Sequence, residues 1–218
     1  MYFYYIGVTM KYKVGKFKFE LMNNTNIDFD SLFYKFKNDE QVNYRIRITF
    51  NEIYDYYDDV VFLDDRLIVY KTKDECLEVR RYFHPIYKYP MATTKIYDTY
   101  SETCFHCILE DSNESNHLYM MCLALDKIIY LQDCFVLHSS SILVNGKMIL
   151  FSAPSGTGKS TQADLWNKYR NSLIVNGDRN LVYFNDGKFY AQGWVLSGSS
   201  EHKHNISAPI QSIVILKK

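Results

Sequence analysis

The chain has 218 residues, 47% of them hydrophobic and 23% charged, enough for a sizeable core and unlike a disordered polyelectrolyte. Its 25 basic and 25 acidic side chains cancel, which excludes a global field for nucleic acid or for a strongly charged partner. No apolar run reaches the roughly 18–20 residues that span a bilayer, and five scattered cysteines fit a reducing cytoplasm better than a disulfide framework.

The length allows one large domain or two small ones. The opening stretch MYFYYIGVTMKYKVG lacks a basic region ahead of its apolar part and lacks a small-residue cleavage site, so it reads as a first strand. Short runs rich in β-branched and aromatic residues come next, at 2–8, 14–21, 43–50, 60–63, 67–71, 77–83, 93–99 and 104–109. KFKFEL at 16–21 and YRIRI at 44–48 alternate cleanly, and 28–36 reads as a short helix. The 20 tyrosines fit this strand content. The expectation is an antiparallel sheet packed on the C-terminal part of the chain.

A polar break, DSNESN at 111–116, separates a β-rich region, 1–112, from a second domain, 113–218. A helix is expected over 117–131, because Leu118, Met121, Cys122, Leu125, Ile128 and Ile129 fall near helical spacing. Asn145-Gly146 between two apolar runs predicts a tight hairpin, since both turn positions need positive φ. The second arm, 147–152, runs into SAPSGTGKSTQADLW, and a helix should begin there, over 159–169. A strand at 172–175 ends on Asn176-Gly177-Asp178, a hairpin joins 181–184 to 189–191, and 210–216 is a last strand.

The turn after 147–152 has the spacing of a phosphate cradle. Ala153-Pro154-Ser155-Gly156-Thr157-Gly158-Lys159-Ser160 fits the Walker A pattern, with Ala in place of the first Gly. Backbone N–H groups of Ser155, Gly156, Thr157 and Gly158 can converge on one concavity, because glycine reaches the required angles. The helix start adds its positive end. Lys159 would reach the outer phosphates of ATP, Ser160 would ligate Mg²⁺, and Thr161 offers a hydroxyl near the α-phosphate.

Such a cradle needs an acid. Asp178 comes after an apolar strand and is placed to hold Mg²⁺ or to accept a proton from an attacking hydroxyl; its alternative reading is a turn residue. Asp164 lies inside the helix and reads as solvated. His138 sits on the strand before the hairpin, where an imidazole contacts phosphate, orients an acceptor, or is simply structural. The polar loop SGSSEHKHN at 197–205 reads either as a cover over acceptor and phosphate or as a plain connection. Cys104-Phe105-His106-Cys107 looks like part of a metal site but lacks two further ligands at suitable spacing.

Together, His138-Ser139-Ser140-Ser141, the Asn145-Gly146-Lys147 turn, FSAPSGTGKST at 151–161, Leu165-Trp166 and Gly177-Asp178 resemble the catalytic domain of the HPr kinase/phosphorylase family. They look closer still to the HPr kinase-related proteins found with peptide-tailoring and cell-surface polysaccharide genes. Gly198-Ser199-Ser200 with NISAPI at 205–210 is similar as well. The resemblance covers about 131–216. It implies an α+β fold in which the β-rich N-terminal region precedes a β-sandwich-like P-loop core shared with phosphoenolpyruvate carboxykinases. It also implies a cytoplasmic kinase that moves the γ-phosphate of ATP to a serine hydroxyl of a peptide, protein or small molecule. By position, Lys159 binds phosphate, Ser160 binds Mg²⁺, Asp178 is the catalytic acid/base, His138 lies beside the phosphates, and copies of the chain assemble.

Departures from the family are visible. Gly177 stands where HPr kinases carry the first of two acids, and their Glu-rich signature after the core is not evident. Relatives continue beyond the strand matching 210–216, so the core reads as short, a natural short form, a degenerate copy or a truncation. An edge left uncovered there would favour pairing with another chain. The alternative reading is a non-catalytic nucleotide-binding module. A carboxykinase is disfavoured for want of a second metal site and an arginine set, and no basic stripe supports nucleic acid.

Overall fold

The computed structural model describes residues 7–52, 59–72, 76–110, 114–196 and 200–217. Most of the strand expected at 2–8, the start of the polar break at 111–113, and Ser197-Gly198-Ser199 of the polar loop lie outside the described residues. The chain forms two compact units: Met1–Tyr12, Lys18–Ser31 and Lys37–Ile128 in one, Lys13–Phe17, Leu32–Phe36 and Ile129–Lys218 in the other. Among the described residues no helix is long and apolar enough to cross a membrane.

The first unit is built on β1 (Val8–Val14), β2 (Phe17–Asn23), β3 (Tyr44–Asn51), β4 (Val60–Leu63), β5 (Leu67–Tyr70), β6 (Glu78–Phe83), β7 (Pro90–Ile96) and β8 (Tyr100–His106). A short helix, α1 (Asp30–Phe33), lies between β2 and β3 and runs into a 3-10 turn over Tyr34–Phe36. The strands form one sheet in the order β1-β2-β3-β8-β7-β6-β5-β4. The alternation of β3 is real: Tyr44, Ile46 and Ile48 are buried while Arg45 and Arg47 face outward, as a half-buried strand requires. The sheet is mixed, however, and not antiparallel as expected, because β2–β3 and β3–β8 pair in parallel. Periodicity marks a strand and its faces but not its neighbour; here β4 to β8 form a meander that returns to β3.

The helix expected over 117–131 is two helices, α2 (Asn116–Cys122) and α3 (Leu125–Tyr130). Ala124 takes a left-handed conformation, φ 53°, and breaks the ladder. Cys122, Leu123, Ala124 and Leu125 are all buried, and four successive residues go once round a helix, so no single stripe accommodates them. The break resolves the conflict and leaves Met121, expected inside, 46% exposed.

The second unit contains β9 (Cys134–Val144), β10 (Lys147–Ser152), α4 (Lys159–Arg170), β11 (Leu173–Asn176), β12 (Arg179–Asn185), β13 (Lys188–Gly193) and β14 (Ser207–Ile215). The β9–β10 hairpin turns on Asn145 at φ 49° and Gly146 at φ 73°, as the Asn-Gly pair predicts. β9 pairs with β10 on one edge and with β11 and then β12 on the other. β12 continues to β13, β13 to β14, and β14 returns to β10 in parallel, so the ladder of pairings closes on itself. Beyond Pro209, β14 pairs with β10 alone among the described strands.

β10 explains why its sequence is apolar without alternation. Met148 and Leu150 pack with Val175, Val182, Ala191 and Ala208, while Ile149 and Phe151 pack with Ile142, Ile174 and Ala163 of α4. Successive side chains point to opposite faces, and both faces are covered. Leu150 has no solvent exposure. Leu150→Ala is therefore expected to cost about 2–5 kcal/mol in urea denaturation, whereas Leu173→Ala, at a position 40% exposed, stays within about 1 kcal/mol.

Candidate phosphate-binding loop and acid–histidine pair

β10 delivers the chain at Ser152 into the loop 153–158, and α4 begins at Lys159. Gly158 precedes the helix at φ 97°, ψ 23°, a conformation L side chains rarely adopt, and no side chain caps the helix start. The first intrahelical bond from an N–H is Gln162 to the Gly158 carbonyl, 3.0 Å. The N–H groups of Lys159, Ser160 and Thr161 thus have no intrahelical acceptor and lie at the positive end of a three-turn helix. Gly156 is exposed, and a Cβ there would meet nothing within 4 Å. Beside it the Thr157 hydroxyl oxygen is buried with no hydrogen-bond partner among the described residues.

Lys159 is only 7% exposed. Its ammonium donates to the carbonyls of Ala153 at 2.9 Å and Pro154 at 3.4 Å, closing the loop on itself. Ser155 and Thr161 are exposed. Ser160 is exposed too, and its hydroxyl donates to the Gly177 carbonyl at 3.4 Å, which joins the helix start to the turn that carries Asp178.

That turn is a local irregularity in one antiparallel ladder. Ile174 pairs with Ile142 and Asn176 with Ser141, after a register shift, and Arg179 then pairs with His138. Gly177 and Asp178 bulge out between β11 and β12. Asp178 Oδ1 accepts from His138 Nε2 at 3.0 Å, and Oδ2 lies 3.3 Å from Arg179 Nε. A carboxylate only accepts, so the imidazole proton sits on Nε2. The three side chains remain solvent-accessible, so their pairing is available to a ligand.

Beneath this surface lies a buried polar network. The fully buried Asn176 accepts at Oδ1 from the N–H groups of Asp178 and Arg179, both 2.9 Å, and its amide donates to the carbonyls of Trp194 and Leu196. Ser141 Oγ donates to Asn180 Oδ1 at 2.6 Å and accepts from the Asn176 N–H at 3.2 Å. Asn180 donates to the Ser139 carbonyl and hydroxyl. Ser140 Oγ donates to the Lys159 carbonyl at 2.7 Å, fixing the first residue of α4 to β9. Ser152 Oγ donates to the His138 carbonyl.

Of the residues anticipated, Lys159 and Ser160 at the helix start and those at 138 and 178 are thus linked through strand pairing and side-chain bonds, whereas no side-chain bond among the described residues ties Ser155, Gly156, Thr157, Gly158 or Thr161 to them. No hydrogen bond joins Lys159 Nζ to Asp178. Arg179, Asn176 and Asn180 are additions that sequence reasoning passed over. The available signal was the serine run itself: three successive serines between FVLH and ILV in a strand, all fully buried, must find partners. The Cys104–Cys107 stretch stands apart in the first unit, where His106 Nδ1 accepts from the Ile108 N–H and caps the 3-10 turn Cys107–Leu109. Among the described residues no three His, Cys, Asp or Glu side chains are grouped to hold a metal.

The described part of the polar loop is held against this turn. Ser200 lies over Gly177, Lys203 forms a bridge with Asn176, and the His204 N–H donates to the Val175 carbonyl at 3.0 Å. Burial first, then Lys35 and His202, lowers the pKa of His204 below the ordinary imidazole value of 6.5. The unfolded chain takes up that proton more readily, so His204 contributes stability above pH 6.5 that is lost as pH falls through and below that value. Melting temperatures between pH 7 and pH 5 should fall more steeply for the wild type than for His204→Gln. Asn176→Ala strands two N–H groups, and a loss of about 1–3 kcal/mol in urea denaturation is expected.

No protein-family model matches the chain. No curated protein matches it either. Among solved structures it is similar to the Hpr(Ser) kinase/phosphatase from Coxiella burnetii, at a TM-score of 0.32 and 11% identity, over 38% of this chain. The match spans 59% of that structure's length, and the likeness is distant.

Proposed function

We propose that the chain binds ATP with Mg²⁺ through Ser155, Gly156, Thr157, Gly158, Lys159, Ser160 and Thr161, and transfers the γ-phosphoryl group to a serine hydroxyl of a peptide, protein or small-molecule acceptor. The observation that carries this reading is the conjunction, in one set of paired strands, of helix N–H groups with no intrahelical acceptor, a buried Thr157 hydroxyl with no partner among the described residues, and the Asp178–His138 pair. Donors at a helix start without acceptors there suit an anion with several oxygens.

The residues also suit the metal. Mg²⁺ bound with a nucleotide keeps several waters and takes one or two protein oxygens, so the Ser160 hydroxyl and the Asp178 carboxylate suffice as its ligands. When bound, the metal would offset charge on the phosphate oxygens. Lys159 has three N–H donors; in exchanging the Ala153 and Pro154 carbonyls for phosphate oxygens it keeps a bonded ammonium throughout. Each carboxylate oxygen of Asp178 has a second lone pair, free to take the proton of the acceptor hydroxyl as that oxygen gains the phosphoryl group and ADP leaves. His138 and Arg179 hold the carboxylate in place while it does so.

The second reading, a non-catalytic nucleotide-binding module, draws support from one feature: both Asp178 oxygens already have partners. Mg-ATP at about 100 times its dissociation constant should stabilise the wild type by roughly 2.7 kcal/mol and leave Lys159→Ala unmoved. Asp178→Asn should keep nucleotide binding while phosphoryl transfer to a serine acceptor drops by about 10²–10⁴-fold. Binding without transfer in the wild type would favour the module. A folded wild type that ATP does not stabilise would end both readings.

A further inference from the structure

We propose that Lys35 and Lys203, beside His202 and His204, form a cationic subsite for an extended acidic peptide, so that the acceptor serine is one flanked by glutamates or aspartates. This rests on the kinase reading and names the acceptor class for the same site.

Two segments of the second unit build the subsite. Lys35 lies in the 3-10 turn Tyr34–Phe36, and the other three residues are consecutive at 202–204. Lys203 Nζ donates to the Leu32 carbonyl at 3.2 Å, and Lys35 Nζ donates to the Lys203 carbonyl at 3.0 Å. Asn205 donates to the Lys35 carbonyl at 2.9 Å. These bonds hold two ammonium groups near each other, each with donors to spare. The bonds go to carbonyls, not to acids. Among the described residues no ion pair includes Lys35 or Lys203, and Glu201, exposed, is the one acid at 200–205.

The cost is visible in the electrostatics. Burial, then Lys35, lowers the Lys203 pKa, and burial, then Lys35 and His202, lowers that of His204. Two ammonium groups held close to each other, neither ion-paired among the described residues, disfavour the empty fold and favour a bound anion.

Position ties the subsite to the chemistry. The Asn176–Lys203 bridge sets Lys203 beside the residue whose side chain caps the N–H of Asp178. A Cβ on Gly177 would come within 2.2 Å of Ser200 Oγ, and one on Gly193 within 2.3 Å of the His204 carbonyl oxygen, so both glycines admit the stretch at close range. The two ammonium groups come from two separate segments, and a chain of several carboxylates can meet both where one small anion offers a single charge.

The test uses the full chain and two fluorescent serine peptides of equal length, one flanked by glutamates and one by lysines. Anisotropy at low and high salt measures binding, and phosphoryl transfer from ATP is measured in parallel. The glutamate peptide should bind at least roughly tenfold tighter, weaken with salt, and be the better acceptor. Lys35→Glu with Lys203→Glu should invert the preference, and Lys35→Gln with Lys203→Gln, the control for folding, should abolish it. Equal binding of both peptides to the wild type overturns the proposal, as does a folded double charge reversal that keeps the preference. Displacement of the glutamate peptide by inorganic phosphate at equal concentration also overturns it, since the subsite would then take a single anion. A peptide preference in a protein that does not bind ATP would leave the subsite standing and remove the kinase reading alone.

Discussion

The primary amide of Asn176 is the joint on which the candidate site turns. An asparagine offers two donors and an accepting oxygen with two lone pairs, and here all four capacities have partners: two backbone N–H groups on one side, two carbonyls on the other. In a buried setting each unmet capacity would carry a desolvation penalty, so full satisfaction makes the bulge rigid and not merely tolerated. The carboxylate of Asp178 inherits its direction from that rigidity, and His138 meets it because Arg179 takes up pairing with β9 at that point. Asn180 and the three serines extend the same principle across the strand to the first residue of α4.

This polar seam coexists with an apolar one. β10 packs both its faces, and α4 covers one of them through Ala163. The loop 153–158 therefore rises from a strand with little freedom to shift, and its own carbonyls are held by Lys159. Rigid support of this kind is what a site built on such a loop would need to keep its geometry.

Much of the second unit is legible in the sequence, because its signals are local. Asn145-Gly146 can hardly be anything but a turn, and the glycines before Lys159 announce the helix start. Non-local facts are harder to read. The parallel partners of β3 lie elsewhere in the chain, and nothing in YRIRI says which strand it will meet. The broken helix at Ala124 arises from burial on all sides, a property of the packed unit and not of spacing. At the site, titratable and glycine residues are conspicuous in a sequence, whereas amides and hydroxyls that hold them look like ordinary polar residues until their burial is known. Asn176 reads as half of an Asn-Gly turn, yet it is a strand end held by four bonds.

The parallel pairing of β10 with β14 has a consequence in time. Met148 meets Ile210, and no shorter route supplies that edge of the strand. During synthesis the β9–β10 hairpin can form as soon as it emerges, but its apolar second arm then waits for about 60 further residues, roughly 3–12 seconds at ribosomal rates. Through that interval the strand offers an unpaired edge and two greasy faces, a state prone to sticking to other chains. β10 is thus exposed while nascent, and a chaperone that covers such a strand would matter for this unit.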